Sequence, residues 1–119
     1  IGGANSVIAS VVLSGFDISR FYYYGFLSPK ADIRKSELLK LKYLDKVIVL
    51  MDAPYRLKAL LRDLQDIFES RRIAVAFNIT MESEKVFRGT ATEILNEIGE
   101  ENLKGEFIII ADKYNDKHN

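Results

Sequence analysis

The stretch from Lys46 to Arg56, Lys-Val-Ile-Val-Leu-Met-Asp-Ala-Pro-Tyr-Arg, constrains the fold more than any other part of the chain. Val47 to Met51 is an unbroken apolar run, the pattern of a strand buried on both faces. Asp52 is placed to cap a following helix, and Pro54 falls in that helix's first turn, where a missing N–H costs nothing. The connecting loop therefore sits at the carboxyl end of a central strand. Open α/β sheets bind their ligands at that edge.

Two more runs, Ile73 to Phe77 and Phe107 to Ala111, have the same character. Leu57, Leu60, Leu61, Leu64, Ile67 and Phe68 recur at helical spacing between the first two strands. Strand, helix, strand at this length predicts a βαβ unit with parallel pairing and a right-handed crossover. Upstream, Asn5 can cap a helix carrying Ile8, Val11 and Val12, and Gly15 suits its left-handed stop. Phe21, Tyr22, Tyr23, Tyr24 and Phe26 predict an aromatic strand over residues 20–27. Alternation should put some of these rings in the core, and a base-stacking platform is the functional alternative.

A helix over residues 31–44 should turn Ile33, Leu38 and Leu41 inward and Arg34, Lys35, Glu37 and Lys42 outward. Residues 85–88 read as a short strand. Thr90-Ala-Thr-Glu93 is a capping box before a helix with Ile94, Leu95 and Ile98, ended by Gly99. The expected architecture is α/β: a three-layer αβα sandwich around a mixed, largely parallel sheet of about five strands. It should occupy residues 1–112 as one domain, with residues 113–119 a polar, fraying tail.

Composition narrows the function. Seventeen basic and seventeen acidic residues cancel, so no global field draws the chain to nucleic acid or membrane. There is no cysteine, hence no disulfide framework or thiolate metal site, a composition that suits the cytoplasm. The apolar runs are far shorter than the ~20 residues of a membrane helix. Val7 to Leu13 lacks a positive flank, so no signal peptide is expected. The opening Ile-Gly-Gly, without Met, reads as part of a longer protein. The single histidine, His118, lies in the tail, so neither a His-dependent triad nor a metal site is expected. No Gly-x-Gly-x-x-Gly or phosphate loop occurs.

Three loops could converge on a ligand. These are Gly2-Gly3-Ala4-Asn5-Ser6 at a helix N-terminus, Met51-Asp52-Ala53-Pro54, and Asn78-Ile79-Thr80. The competing reading of each is a tight connection with capping residues. Glu82 and Glu84 read as solvated. Lys30, Arg34, Lys35, Lys40 and Lys42 form a local basic excess, either a solvated helix face or a phosphate-contacting patch.

Several segments, in order, resemble the C-terminal domain of the tetrapyrrole (corrin/porphyrin) methylase superfamily, closest to its ribosomal RNA small-subunit methyltransferase I branch. Gly3-Ala4-Asn5-Ser6-Val7 with Leu13-Ser14-Gly15 matches that family's Pro-Gly-Pro-Ser-Ala loop and Leu-Ser-Gly helix end. Tyr24-Gly25-Phe26-Leu27-Ser28-Pro29 matches its Gly-Phe-Leu-Pro strand end, and Met51-Asp52-Ala53-Pro54-Tyr55-Arg56 its Tyr-Glu-Ser-Pro-His-Arg turn. Val86-Phe87-Arg88-Gly89-Thr90 and Lys104-Gly105-Glu106-Phe107 match a Phe-x-Arg-Gly-Thr strand end and a Lys-Gly-Glu-Phe approach to the last strand. Phe77-Asn78-Ile79-Thr80-Met81 departs from the family's Arg-Glu-Leu-Thr-Lys.

The resemblance implies a two-domain, homodimeric methyltransferase with S-adenosylmethionine between its domains. The N-terminal half is missing here, so this chain alone should be inactive. By analogy Asn5, Ser6, Met51, Asp52, Asn78, Ile79, Gly105, Glu106 and Phe107 would contact the cofactor. Lys30, Arg34, Lys35, Arg56 and Arg88 would contact small-subunit rRNA, within the 30S subunit, for 2′-O-methylation of a cytidine in 16S rRNA. Asp52 is the candidate general base, with a structural capping role as the competing reading. A tetrapyrrole acceptor, or a non-catalytic binding or dimerisation domain of the same fold, are the alternatives.

Overall fold

A computed structural model of the chain describes residues 4–17, 19–79 and 81–115. Gly2, Gly3, Thr80, His118 and the Asn5 side chain lie outside the described part. The elements run α1 Ala4–Ser14, β1 Phe21–Phe26, α2 Ala31–Leu41, β2 Val47–Met51, a 3-10 turn Pro54–Arg56, α3 Leu57–Ile67, β3 Ile73–Phe77, β4 Lys85–Gly89, α4 Ala91–Ile98 and β5 Phe107–Ala111. The five strands form one sheet in the order β1-β2-β5-β3-β4.

The α/β class and the five-stranded mixed sheet match the expectation, but the strand directions correct it. Only β1 and β2 pair in parallel. β5 pairs antiparallel with both β2 and β3, and β4 antiparallel with β3. β2 and β3 do run the same way, yet β5 lies between them. An all-apolar run reports burial on both faces; it carries no information about direction or neighbour.

Two clusters make the three layers. On one face Ile48, Leu50, Ile73, Val75 and Ile109 pack against leucines and isoleucines of α2, α3 and α4. On the other, Val47, Val49, Ala74, Ile108 and Ile110 pack against Val11 of α1. The periodic leucines of α3 all face the first cluster, and Leu60, Leu61 and Leu64 are fully buried. The capping box of α4 is complete. Glu93 N–H donates to Thr90 Oγ1 at 3.2 Å and Thr90 N–H to Glu93 Oε1 at 2.8 Å. Gly99 closes that helix at φ +60°.

Some apolar residues go elsewhere than expected. Ile8, Val12 and Ile33 are exposed. In β1, Phe21, Tyr22, Tyr23 and Phe26 are exposed and only Tyr24 packs against the core. β1 is an edge strand, so its rings have neighbours on one side only.

The end of the sheet where β2 begins is tied together by one side chain, Arg71, beside a small cavity of about 290 Å³. Arg71 is 3% exposed. Its Nε donates to Asp112 O (2.6 Å), Nη1 to Leu41 O and Lys42 O (both 3.0 Å), and Nη2 to Leu44 O (2.9 Å) and Lys46 O (3.1 Å). The guanidinium also lies 4.8 Å from the Phe68 ring centroid. Burial lowers its pKa to about 10. Of the expected tail, residues 113–115 are described, and they meet this end of the sheet. Tyr114 meets Tyr43 edge-on at 5.0 Å and donates its N–H to Leu44 O at 3.3 Å.

Candidate functional site

At the opposite end of the sheet, the last residues of β2 and β3 meet the first residues of β5. The antiparallel insertion of β5 brings them together, aligning Met51 with Ile108 and Phe77 with Phe107. Asn78 N–H donates to Glu106 O at 2.9 Å, extending the ladder past the strands. A parallel β5 would have sent Gly105 to Phe107 to the far edge.

A cavity of about 670 Å³ opens there. Its walls include Ser6, Met51, Asp52, Asn78, Ile79, Gly105, Glu106 and Phe107, every expected cofactor residue whose side chain is described. Phe26, Pro54, Ala76, Met81, Lys104 and Ile108 complete it. Of these six, Pro54 stands in one of the three candidate ligand loops and Phe26 in the aromatic strand, whereas Ala76, Met81, Lys104 and Ile108 carried no site assignment. Phe26 ends the aromatic strand beside Ser28-Pro29, and Lys104 precedes Gly105, so their positions next to assigned residues were the available signal.

Two residues shape the cavity wall by unusual backbone geometry. Asn78 has φ +51° and Gly105 φ +148°. A Cβ on Gly105 would stand 2.1 Å from Asn78 Oδ1, so this position requires glycine twice over. Asn78 Nδ2 donates to Ser83 Oγ at 2.9 Å, holding the amide against Gly105.

Asp52 does not cap a helix with its side chain. Its Oδ1 accepts the N–H of Ala53 at 2.7 Å, and Arg56 Nε lies 3.2 Å from Oδ1 and 3.3 Å from Oδ2. Ala53 precedes the 3-10 turn, Arg56 precedes α3, and neither makes a side-chain cap. Pro54 does occupy the first turn, as expected. One partly buried ion pair therefore engages both the candidate base and a candidate RNA contact. Its chemistry suits holding the 51–54 turn in shape. Beside it, Tyr23 O–H donates to Met51 Sδ at 3.5 Å.

The expected cationic set does not gather. Arg34 is buried, with Nε on Asp63 Oδ2 at 2.9 Å and Nη1 on Ser28 O (3.2 Å) and Pro29 O (3.3 Å). It pins the 28–30 turn and is no surface phosphate contact. The reason was invisible locally: its partner lies on α3, across the packed α2–α3 pair. Lys30 and Lys35 are exposed at the start of α2, and Arg88 reaches from β4 to Leu13 O of α1. None of these lines the cavity. Glu37 organises the same turn, accepting Ser28 N–H at 2.8 Å and the Tyr24 hydroxyl. Burial and this hydrogen bond push Tyr24 up to about 12.

Among the described residues no group of three or more His, Cys, Asp or Glu is placed to hold a metal ion. No described helix is long and apolar enough to cross a membrane.

The family model for Tetrapyrrole (Corrin/Porphyrin) Methylases matches residues 1–95. The chain belongs to this family. Its relatives include ribosomal RNA small subunit methyltransferase I of Bacillus subtilis (strain 168), 33% identical over 115 residues, covering 97% of this chain and 39% of the relative. The protein of the same name from Synechocystis sp. (strain ATCC 27184 / PCC 6803 / Kazusa) is 37% identical over 111 residues, covering 92% of this chain and 40% of the relative. The chain thus spans about 40% of the length of these curated relatives. The fold is shared with cobalt precorrin-4 methyltransferase, a cobalamin biosynthetic enzyme (TM-score 0.67, 15% identity, 94% of this chain and 50% of that one). It is shared too with the precorrin-6Y methylase of Archaeoglobus fulgidus (TM-score 0.58, 21% identity, 92% and 46%).

Proposed function

We propose that this methylase chain is the C-terminal domain, residues 1–112 plus a short tail, of an S-adenosylmethionine-dependent methyltransferase acting on small-subunit rRNA. The observation that carries the reading is the convergence of the β2 and β3 ends with the start of β5 on one cavity. The names of the relatives support the rRNA substrate. A volume of about 670 Å³ lies in the range of sites for small organic ligands.

The residues present fit such a cofactor. Met51, Ile79 and Phe107 offer apolar surface, Asn78, Lys104 and Glu106 offer polar groups, and bare Gly105 lets a ligand approach the backbone closely. When bound, the cofactor supplies a methyl already activated by its sulfonium. The task of this half is then to hold it in line with a ribose 2′-hydroxyl of a cytidine. Asp52, clamped by Arg56, keeps the 51–54 turn in place. Lys30, Lys35 and Arg88 remain as rRNA phosphate contacts away from the cavity. The protein works in the cytoplasm, on the 30S subunit, as a homodimer.

Calorimetric titration of the full-length parent with S-adenosylmethionine should show saturable binding that is lost in Gly105→Val. No heat at millimolar cofactor would instead make this a non-catalytic domain of the same fold. Methyl transfer to small subunits from a strain lacking the gene should follow. Transfer only to a tetrapyrrole would move the assignment to a small-molecule acceptor, the chemistry named for the precorrin-4 enzyme.

A further inference from the structure

A further cavity of about 350 Å³ opens beside the one at the strand ends. The two share Pro54, Lys104 and Gly105, so only the Pro54 turn and the approach to β5 stand between them. The floor of the second cavity is apolar: Leu57 at the start of α3, Ile98 at the end of α4, and Leu103. Its polar side chains are Lys58, Lys104, Asn102 and the Tyr55 hydroxyl, with no carboxylate among the described residues that line it. In a chain with seventeen basic and seventeen acidic residues, that sign is a local feature. Lys58 Nζ donates to Gly99 O at 2.9 Å, which holds its ammonium between α3 and the end of α4. Tyr55 lines the cavity as well, is 85% exposed and belongs to neither core cluster.

We propose that this second cavity binds the nucleotide next to the methyl acceptor on the same RNA strand, its base stacked on Tyr55 and its phosphate held by Lys58 and Lys104. The inference rests on the rRNA reading above and names residues that would position that substrate. Neighbouring nucleotides are one phosphodiester apart, and the two cavities are one turn apart. A strand that delivers a ribose to the first cavity therefore has its next nucleotide within reach of the second.

The chemistry of the wall favours this occupant over the cofactor. S-adenosylmethionine carries a sulfonium and an ammonium, and two lysine ammonium groups would repel both. An RNA strand brings phosphates to those lysines. An aromatic ring in water beside cations is how single strands are held, because every base has a face that stacks. A neutral apolar occupant would use the floor and leave the lysines without a role. The volume lies near the lower bound of small-ligand sites, room for one nucleotide.

Binding of the full-length parent to small subunits from a strain lacking the gene tests the proposal, with S-adenosylmethionine affinity measured on each variant. Tyr55→Ala should weaken subunit binding at least about tenfold, and Tyr55→Phe should restore most of it, since a ring without its hydroxyl still stacks. Lys58→Gln should lower the slope of log affinity against log salt by about 0.7, the share of one phosphate contact on a single strand. Lys113→Gln, at the far end of the sheet, should leave that slope as it is. Circular dichroism of each variant confirms an intact fold. Wild-type subunit binding by both Tyr55→Ala and Lys58→Gln overturns the proposal. So does an equal loss of cofactor affinity in Tyr55→Ala, which would give the cavity to the cofactor. Failure here is separable from failure of the methyltransferase reading. A parent that binds cofactor, and binds subunits as well without the Tyr55 ring, keeps its activity and loses this subsite. A parent that takes up no cofactor, yet loses subunit binding in Tyr55→Ala, does the reverse. A wild-type parent that binds cofactor but no subunits overturns the subsite together with the rRNA substrate.

Discussion

The two ends of the sheet are built on opposite principles. At the end where β2 begins, one guanidinium satisfies five carbonyls drawn from the end of α2, the approach to β2 and the end of β5. At the open end, Asn78 and Gly105 hold left-handed backbone and press on one another around a cavity. Left-handed backbone occurs at both ends, since Glu69, two residues before Arg71, has φ +53°; what sets the cavity end apart is the contact of Gly105 with the Asn78 amide. A domain that must keep a cavity open can anchor itself at the far edge of the same strands.

The sharpest way to break this contrast is Arg71→Ala. It leaves several buried carbonyls without a donor and should cost about 3–5 kcal/mol in urea unfolding. A loss under about 1 kcal/mol would mean that water replaces the guanidinium and that Arg71 does not anchor this end.

Next in size is Gly105→Ala, which meets both a forbidden φ and the Asn78 amide, for an expected loss of about 1–3 kcal/mol. Asn78→Gly keeps the positive φ and removes the obstructing amide. In the double variant the losses should fall short of additive by about 1 kcal/mol, and strict additivity would deny that the two residues interlock.

The smallest effect belongs to Tyr24→Phe, outside both ends, at about 0.5–1.5 kcal/mol near neutral pH. Its pH dependence has a definite sign. The native state holds this proton to about pH 12 against an ordinary value of 10. The folded form therefore binds more protons between those values, and stability is full below pH 10 and lost as pH climbs toward 12. Absorbance at 295 nm should show one late tyrosine among six. That step should vanish in Tyr24→Phe.

Local chemistry was readable and long-range pairing was not. The α4 capping box, the leucine face of α3 and the three apolar strands all depend on spacing within a few residues, and each stands where spacing put it. The place of β5 between β2 and β3 depends on partners dozens of residues away, and an apolar run matches any of them equally well. Arg34 failed for the same reason, since a charge on a helix reads as solvated until its Asp63 partner is seen. Part of the cavity was legible because strand-end loops mark a sheet edge whatever the strand order. Gly105 to Phe107 came only through the family resemblance, because their presence at that edge requires an antiparallel β5. The aromatic run of β1 misled through its position. Rings suited to a core occupy an edge strand, and four of the five remain in water.

The strand order has a consequence for biosynthesis. β5 is the last of the five strands to leave the ribosome, yet it is the one that joins β1-β2 to β3-β4. Until it emerges, the nascent polypeptide carries two separate half-sheets with sticky inner borders, and chaperone demand should peak just before Phe107 clears the exit tunnel. A premature stop a dozen codons upstream would yield aggregation instead of a slightly shortened domain.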